Sequence, residues 1–317
     1  MKRILIGYDG SESADAALSD LRRAGLPRDV VALILSVGEV VMPPPAIRDE
    51  LVGPPATSRI VKEAFAQAAA GTAQALKETQ EFAAKAGERV RSYFPHWEVQ
   101  TEGLAGWPSA KLIEKADEWK PDLIVVGSQG RSALGRFILG SVSKKVVTDS
   151  EHSVRVARGA VDKDDSLPPK VMIGVDGSAE AEQAVREVGM RVWPTGTEVR
   201  IIAVDDGKNP ARISRILPTA AAMIRSSNEE AVAASRTMAE WAERELRAIG
   251  LQVSVAIEKG DPQQVLVKEA LKWEADSIFV GARKFDGTFE RFSLGSVSTA
   301  VVTNAHCSVE VVRRVTS

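Results

Sequence analysis

This chain is one domain written twice. Arg3-Ile-Leu-Ile-Gly-Tyr-Asp9-Gly-Ser11 returns as Lys170-Val-Met-Ile-Gly-Val-Asp176-Gly-Ser178, and Gly106-Trp-Pro108 returns as Gly260-Asp-Pro262. Arg136-Phe-Ile-Leu-Gly-Ser-Val-Ser143 returns as Arg291-Phe-Ser-Leu-Gly-Ser-Val-Ser298. Matches in the same order mean duplication and fusion, so each half must reach the same fold. With 317 residues there is room for two domains of ordinary size. Gly159-Ala-Val-Asp-Lys-Asp-Asp-Ser-Leu-Pro-Pro169 lies between the copies; it is polar, ends in two prolines and reads as a linker. The expected division is a first domain over 1–160, a linker over 161–169 and a second domain over 170–317.

Each half alternates two kinds of segment. In the first, runs rich in Val, Ile and Leu near 2–8, 30–37, 97–104, 122–127 and 153–158 are often apolar on consecutive positions. That pattern suits strands of a parallel sheet buried on both faces. Between Ser58 and Tyr93 apolar residues recur every three or four positions, the stripe of an amphipathic helix, with Gly71 inside it as a candidate bend. In the second half Ser226-Ser-Asn-Glu229 reads as a capping box for a helix ending near Gly250. Pro108 and Pro262 each fit the first turn of a helix, where a missing N–H costs nothing. Alternating strands and helices imply an α/β fold with right-handed crossovers and helices on both sides of the sheet.

The chemistry concentrates at one strand-to-helix turn. Asp122-Leu-Ile-Val-Val-Gly127 runs into Ser128-Gln129-Gly130; nine residues intervene before Gly140-Ser141-Val142-Ser143. Glycines there are expected to take positive φ and to let a ligand approach the backbone. The helix that follows offers unpaired N–H groups and a positive dipole end, which suits phosphate. Ser141 and Ser143 could add hydroxyl donors. Arg131 and Arg136 either grip phosphate oxygens in a bidentate manner or are solvated surface side chains. Asp9-Gly10-Ser11 is either a turn with a helix cap or a carboxylate aimed at a ligand. Cys307 precedes a strand and reads as a small buried residue.

These linked pieces resemble the ATP-binding branch of the universal stress protein family. The resemblance implies two tandem, doubly wound, five-stranded parallel-sheet domains of strand order 3-2-1-4-5, adenine nucleotide alpha-hydrolase-like. It implies ATP, with or without magnesium, at the carboxyl ends of strands 1 and 4. The contacts it implies in the first half are Asp9, Gly10, Ser11, Val37 (through its backbone, beside adenine), Val126, Gly127, Gly130, Arg131, Gly140, Ser141, Val142 and Ser143. Asp176, Val204, Gly281, Arg283, Gly295, Ser296 and Ser298 match them in the second half. It also implies that the last strands of the two domains pair edge to edge, here Ser153-Val-Arg-Val-Ala157 with Ser308-Val-Glu-Val-Val312, so that one chain mimics a dimer and chains associate further into a homo-oligomer. A regulatory protein partner of unknown identity completes the expectation.

The second half departs from the pattern. Counting forward from Gly281 puts Lys284 at the second glycine, and counting back from Gly295 puts Phe285 there. Either adds bulk where backbone should touch phosphate, so the second site is expected to bind weakly or not at all, unless the Lys284 ammonium compensates by pairing with the phosphates. The insert over 41–55, rich in proline, either covers the first site or is a rigid surface excursion.

Other functions fit less well. Lys plus Arg at 41 against Asp plus Glu at 43 gives a net charge of −2, which argues against a dedicated nucleic-acid binder. Gly135-x4-Gly140 has P-loop spacing, but Ser141 stands where lysine should be; the dinucleotide fingerprint and the nucleophile elbow are absent. One cysteine and three scattered histidines make no metal motif. No membrane segment or apolar leader is read, so the cytoplasm is the expected location. A stress-response binding module is therefore favoured. A slow ATPase or nucleotidyl-transfer enzyme is the rival, and a ligand-free structural module the third reading.

Overall fold

The computed structural model describes residues 1–40, 59–130, 139–159, 167–206, 218–282 and 294–314. In the first half the order is β1 (Lys2–Gly7), α1 (Glu12–Asp20), β2 (Val30–Gly38), α2 (Arg59–Tyr93), β3 (Glu98–Ala105), α3 (Pro108–Trp119), β4 (Leu123–Gly127), α4 (Ser141–Asp149) and β5 (Val154–Ala157). The second half repeats it with β6 (Lys170–Val175), α5 (Ala179–Gly189), β7 (Glu198–Asp205), α6 (Pro218–Ala248), β8 (Gln252–Lys259), α7 (Pro262–Lys272), β9 (Ser277–Gly281), α8 (Ser296–Asn304) and β10 (Ser308–Val312). α3 and α7 start at their prolines, as expected.

Each half has the strand order 3-2-1-4-5, and all neighbours within a half are parallel. The two sheets fuse into one of ten strands, because β5 and β10 pair antiparallel with Val309 opposite Val156, Glu310 opposite Arg155 and Val311 opposite Val154. Pairing hides two edges that would otherwise present open hydrogen-bonding groups.

The two faces of this sheet are built differently. On one, Leu112 and Ala116 of α3, Val146 and Val147 of α4, Leu266 and Ala270 of α7, and Val301 and Val302 of α8 share a single core. That core runs unbroken across the seam through Val154, Val156, Val309 and Val311. On the other face there are two cores, one under α1 and α2, the other under α5 and α6. Charge fills the gap between them. Arg155 and Glu310 are both fully buried, so the alternation in β5 and β10 does not turn one face to water.

Two local expectations need correcting. α6 begins at Pro218, eight residues before Ser226, so the apparent capping box lies inside the helix. The segment ahead of it, Thr219-Ala-Ala-Ala-Met-Ile-Arg, is rich in helix formers behind a proline suited to the first turn, and propensity carries the helix past the box. α2 runs through Gly71 as one helix.

Candidate functional site

The carboxyl ends of β1 and β4 adjoin, since these strands are direct neighbours at the point where strand order reverses, the usual place for a ligand in such sheets. Asp9-Gly10-Ser11 leaves β1 there. Ser11 is the N-cap of α1: its hydroxyl accepts from Ala14 N at 3.2 Å, and it donates to Asp9 Oδ1 at 2.6 Å. Asp9 Oδ1 also accepts from Ser11 N at 3.0 Å. Gly10 makes the turn possible with φ +77°, a region that disfavours side chains. The turn-and-cap reading is thus realised, and it leaves Asp9 aimed across the cleft. A Cβ added to Gly130 would sit 3.3 Å from Asp9 Oδ2.

The glycine turn is held from two sides. Ser13 Oγ donates to Gln129 O and accepts from Gln129 N at 3.1 Å, latching the start of α1 to the residue before Gly130. Gly140 N donates to Ser128 O at 2.8 Å, closing the far side. These contacts explain the glycines, and they correct an expectation: Gly127, Gly130 and Gly140 do not have positive φ. What they permit is close approach. A Cβ at Gly127 would lie 2.7 Å from Ser13 O, and one at Gly140 would lie 3.3 Å from Gln129 Cα.

Gly140 is the N-cap of α4 and brings no side chain to it, so among the described residues the first-turn N–H groups of α4 take no side-chain cap from that position. Ser141 is exposed at that end, and Val142 is half-buried against the core. Ser143 is corrected as a phosphate donor. Its buried hydroxyl donates to Gly127 O at 2.6 Å and ties α4 to β4. Val126 is a core side chain and offers only backbone. Val37, last but one in β2, packs against the same core; beside it Gly106 N donates to Gly38 O at 2.9 Å. Arg131, Arg136 and the proline insert lie outside the described residues.

The second half copies the frame and changes the lining. Asp176 Oδ1 accepts from Ser178 N at 3.1 Å and from its hydroxyl at 2.5 Å; Ser298 Oγ donates to Gly281 O at 2.8 Å; Gly295 caps α8 and Ser296 is exposed behind it. Glu180 stands where Ser13 does, so that position has no hydroxyl to offer. Val204 matches Val37, but the next residue is Asp205 in place of Gly38, with its carbonyl accepting from Gly260 N at 3.0 Å. Asp176, Glu180, Asp205 and Asp206 thus share one end of the half-sheet. Arg283, Lys284 and Phe285 lie outside the described residues.

Sequence reasoning missed Ser13 and Gln129. The one available signal was a serine two residues past a helix cap. Cys307 is buried as expected, and burial pushes its thiol up to about 12, far from a nucleophile. Among the described residues no helix is long and apolar enough to cross a membrane.

Comparison with known proteins agrees with this frame. The family model for the universal stress protein family matches residues 1–158 and again 169–313. A universal stress protein of Mycolicibacterium smegmatis is 29% identical over 98% of this chain and 96% of its own length. One from Mycobacterium tuberculosis is 28% identical over 98% of this chain and 97% of its own. The crystal structure of a universal stress protein from Archaeoglobus fulgidus superposes with a TM-score of 0.62 at 22% identity, covering 98% of both chains, a likeness of fold. Matched twice along nearly its whole described length, the chain belongs to the universal stress protein family.

Proposed function

We propose that the first half binds an adenine nucleotide, ATP with or without magnesium, and that the protein works as a nucleotide-dependent binding module in a stress response. The observation that carries this reading is the glycine-capped start of α4 beneath a glycine turn pinned by Ser13 and Gly140, facing Asp9. Backbone N–H groups of that turn and of the first turn of α4 would take the phosphates, an arrangement that needs no lysine. The Asp9 carboxylate would accept from ribose hydroxyls, and the β2 end at Val37 would border the base. Asp9, Gly10, Ser11, Val126, Gly127, Gly130, Gly140, Ser141 and Val142 are the contacts we assign. Ser143 acts through Gly127. Bound nucleotide would favour one arrangement of the surrounding surface, and a regulatory protein partner would read that arrangement through its differential affinity.

Gly130→Val tests this. Among the described residues the only atom that a Cβ there would meet within 4 Å is the end of the Asp9 side chain, so this frame tolerates the change while the new side chain fills the cleft. Nucleotide affinity measured by calorimetry should fall at least about a hundredfold, equivalent to roughly 2.7 kcal/mol, with little change in melting temperature. Undiminished ATP affinity in this variant would remove the assignment.

A further inference from the structure

The two halves meet through positions that the repeat makes equivalent. Ser153-Val-Arg-Val corresponds to Ser308-Val-Glu-Val, and in the antiparallel ladder Arg155 lies directly opposite Glu310. A pseudo-twofold axis therefore passes through this pair. If two identical halves met the same way, each residue on the axis would face its own copy, arginine on arginine or glutamate on glutamate. Like charges directly opposite are destabilising even at a surface, and these side chains are both 0% exposed.

The surroundings extend the mismatch. Arg155 holds Asp20 through two bonds, Nε to Oδ2 at 2.6 Å and Nη2 to Oδ1 at 3.0 Å, and reaches Glu310 at 3.3 Å. Arg191 pairs with Glu310 and, at 3.0 Å, with Glu187, which also holds Lys2. In this cluster the first half supplies Lys2, Arg155 and Asp20, and the second supplies Arg191, Glu187 and Glu310. Joined, cations and anions match one to one. Two first halves would leave two surplus cations, and two second halves two surplus anions, in a place where unpaired charge is expensive.

Shape repeats the rule. Gly25, at φ +63°, leaves a hole filled by Trp193; a Cβ there would lie 2.6 Å from the indole ring. Val192 N donates to Gly25 O at 2.8 Å beside it. The residue equivalent to Gly25 is Val192, and the one equivalent to Trp193 is Leu26. Two second halves would drive Trp193 against a valine, and two first halves would leave the hole to a leucine.

We propose that the seam is a heterotypic docking surface: the inner edge of each half, with its adjoining helix end, accepts the other half and rejects a second copy of itself. Every particle assembled through it then carries one complete glycine turn and one altered turn. This rests on no assumption about nucleotide.

The test starts from the full chain with a protease site placed within 160–166. The folded protein is cut, unfolded in urea and refolded, and the pairs are weighed by native mass spectrometry. Unlike pairs should exceed like pairs at least about tenfold. Like pairs at the proportion of random assortment would overturn the proposal. The uncut chain gives a second measure. Glu310→Lys sets a lysine against Arg155 and Arg191 and should lower the melting temperature by about 10 °C, against a few degrees for Glu310→Gln. Equal losses from the two variants would mean that the facing charge is not read, and would equally overturn it.

Discussion

A hydroxyl two residues past the cap of α1 sets the shape of the glycine turn. Ser13 bonds both the N–H and the carbonyl of Gln129, so the peptide leading into Gly130 has one orientation. Ser13→Ala frees that peptide. ATP affinity should drop about tenfold for a loss of roughly 1 kcal/mol in stability; calorimetry on a variant with near-normal melting temperature checks it, and unaltered affinity would clear Ser13 of any part in the site. Asp9 and Ser11 were legible because cap chemistry is local and was duplicated with the repeat. Ser13 was not, because its partner lies 116 residues away and its counterpart is Glu180. A second residue makes a pH prediction. Burial pushes the His152 imidazole below its ordinary value, against the nearby Asp117 and Glu151 carboxylates and the Pro121 carbonyl, which raise it; Lys120 adds to the lowering. The unfolded chain therefore binds a proton more readily, and the stability that a neutral His152 contributes is present above about pH 6.5 and lost as pH falls. The melting temperature should decline from about pH 7 to pH 5, with a shallower decline in His152→Gln; parallel slopes for the two proteins would contradict this.

At the scale of elements, one bond recurs where the helix that follows each fourth strand packs back on it. Ser143 donates to Gly127 O at 2.6 Å and Ser298 to Gly281 O at 2.8 Å, joining α4 to β4 and α8 to β9. Ser143→Ala and Ser298→Ala should each cost about 1 kcal/mol, some 2–4 °C in melting temperature, and the double variant should show the sum because the sites are far apart. A null effect at Ser143 alone would mean that its hydroxyl is free for another role. Strand positions were legible because a parallel strand buried on both faces is apolar on consecutive residues, as in Leu123-Ile-Val-Val-Gly127. The start of α6 was misread because a capping motif is four residues of local chemistry, whereas continuation depends on the propensity of a longer stretch. The φ of Gly130 was misread for a related reason: a glycine can be required by a neighbour's approach, and sequence does not reveal the neighbour.

For the whole molecule, the two halves should differ in ligand binding although their frames agree. The end of the second half-sheet carries Asp176, Glu180, Asp205 and Asp206, where the first has Asp9, Ser13, Gly38 and Glu39. Two additional carboxylates at that end repel an anionic ligand such as ATP. Equilibrium titration with ATP should therefore give one tight site per chain, and two sites of matching affinity would defeat the argument. The antiparallel join between β5 and β10 has its own geometric result. All strands of one half run opposite to all strands of the other, so the carboxyl ends at which Asp9 and Asp176 sit open on opposite margins of the sheet. A flat partner laid against one margin meets the end that carries Asp9 and never the end that carries Asp176. Only a molecule that wraps around the sheet could touch both, so a rigid partner meets the two ends one at a time.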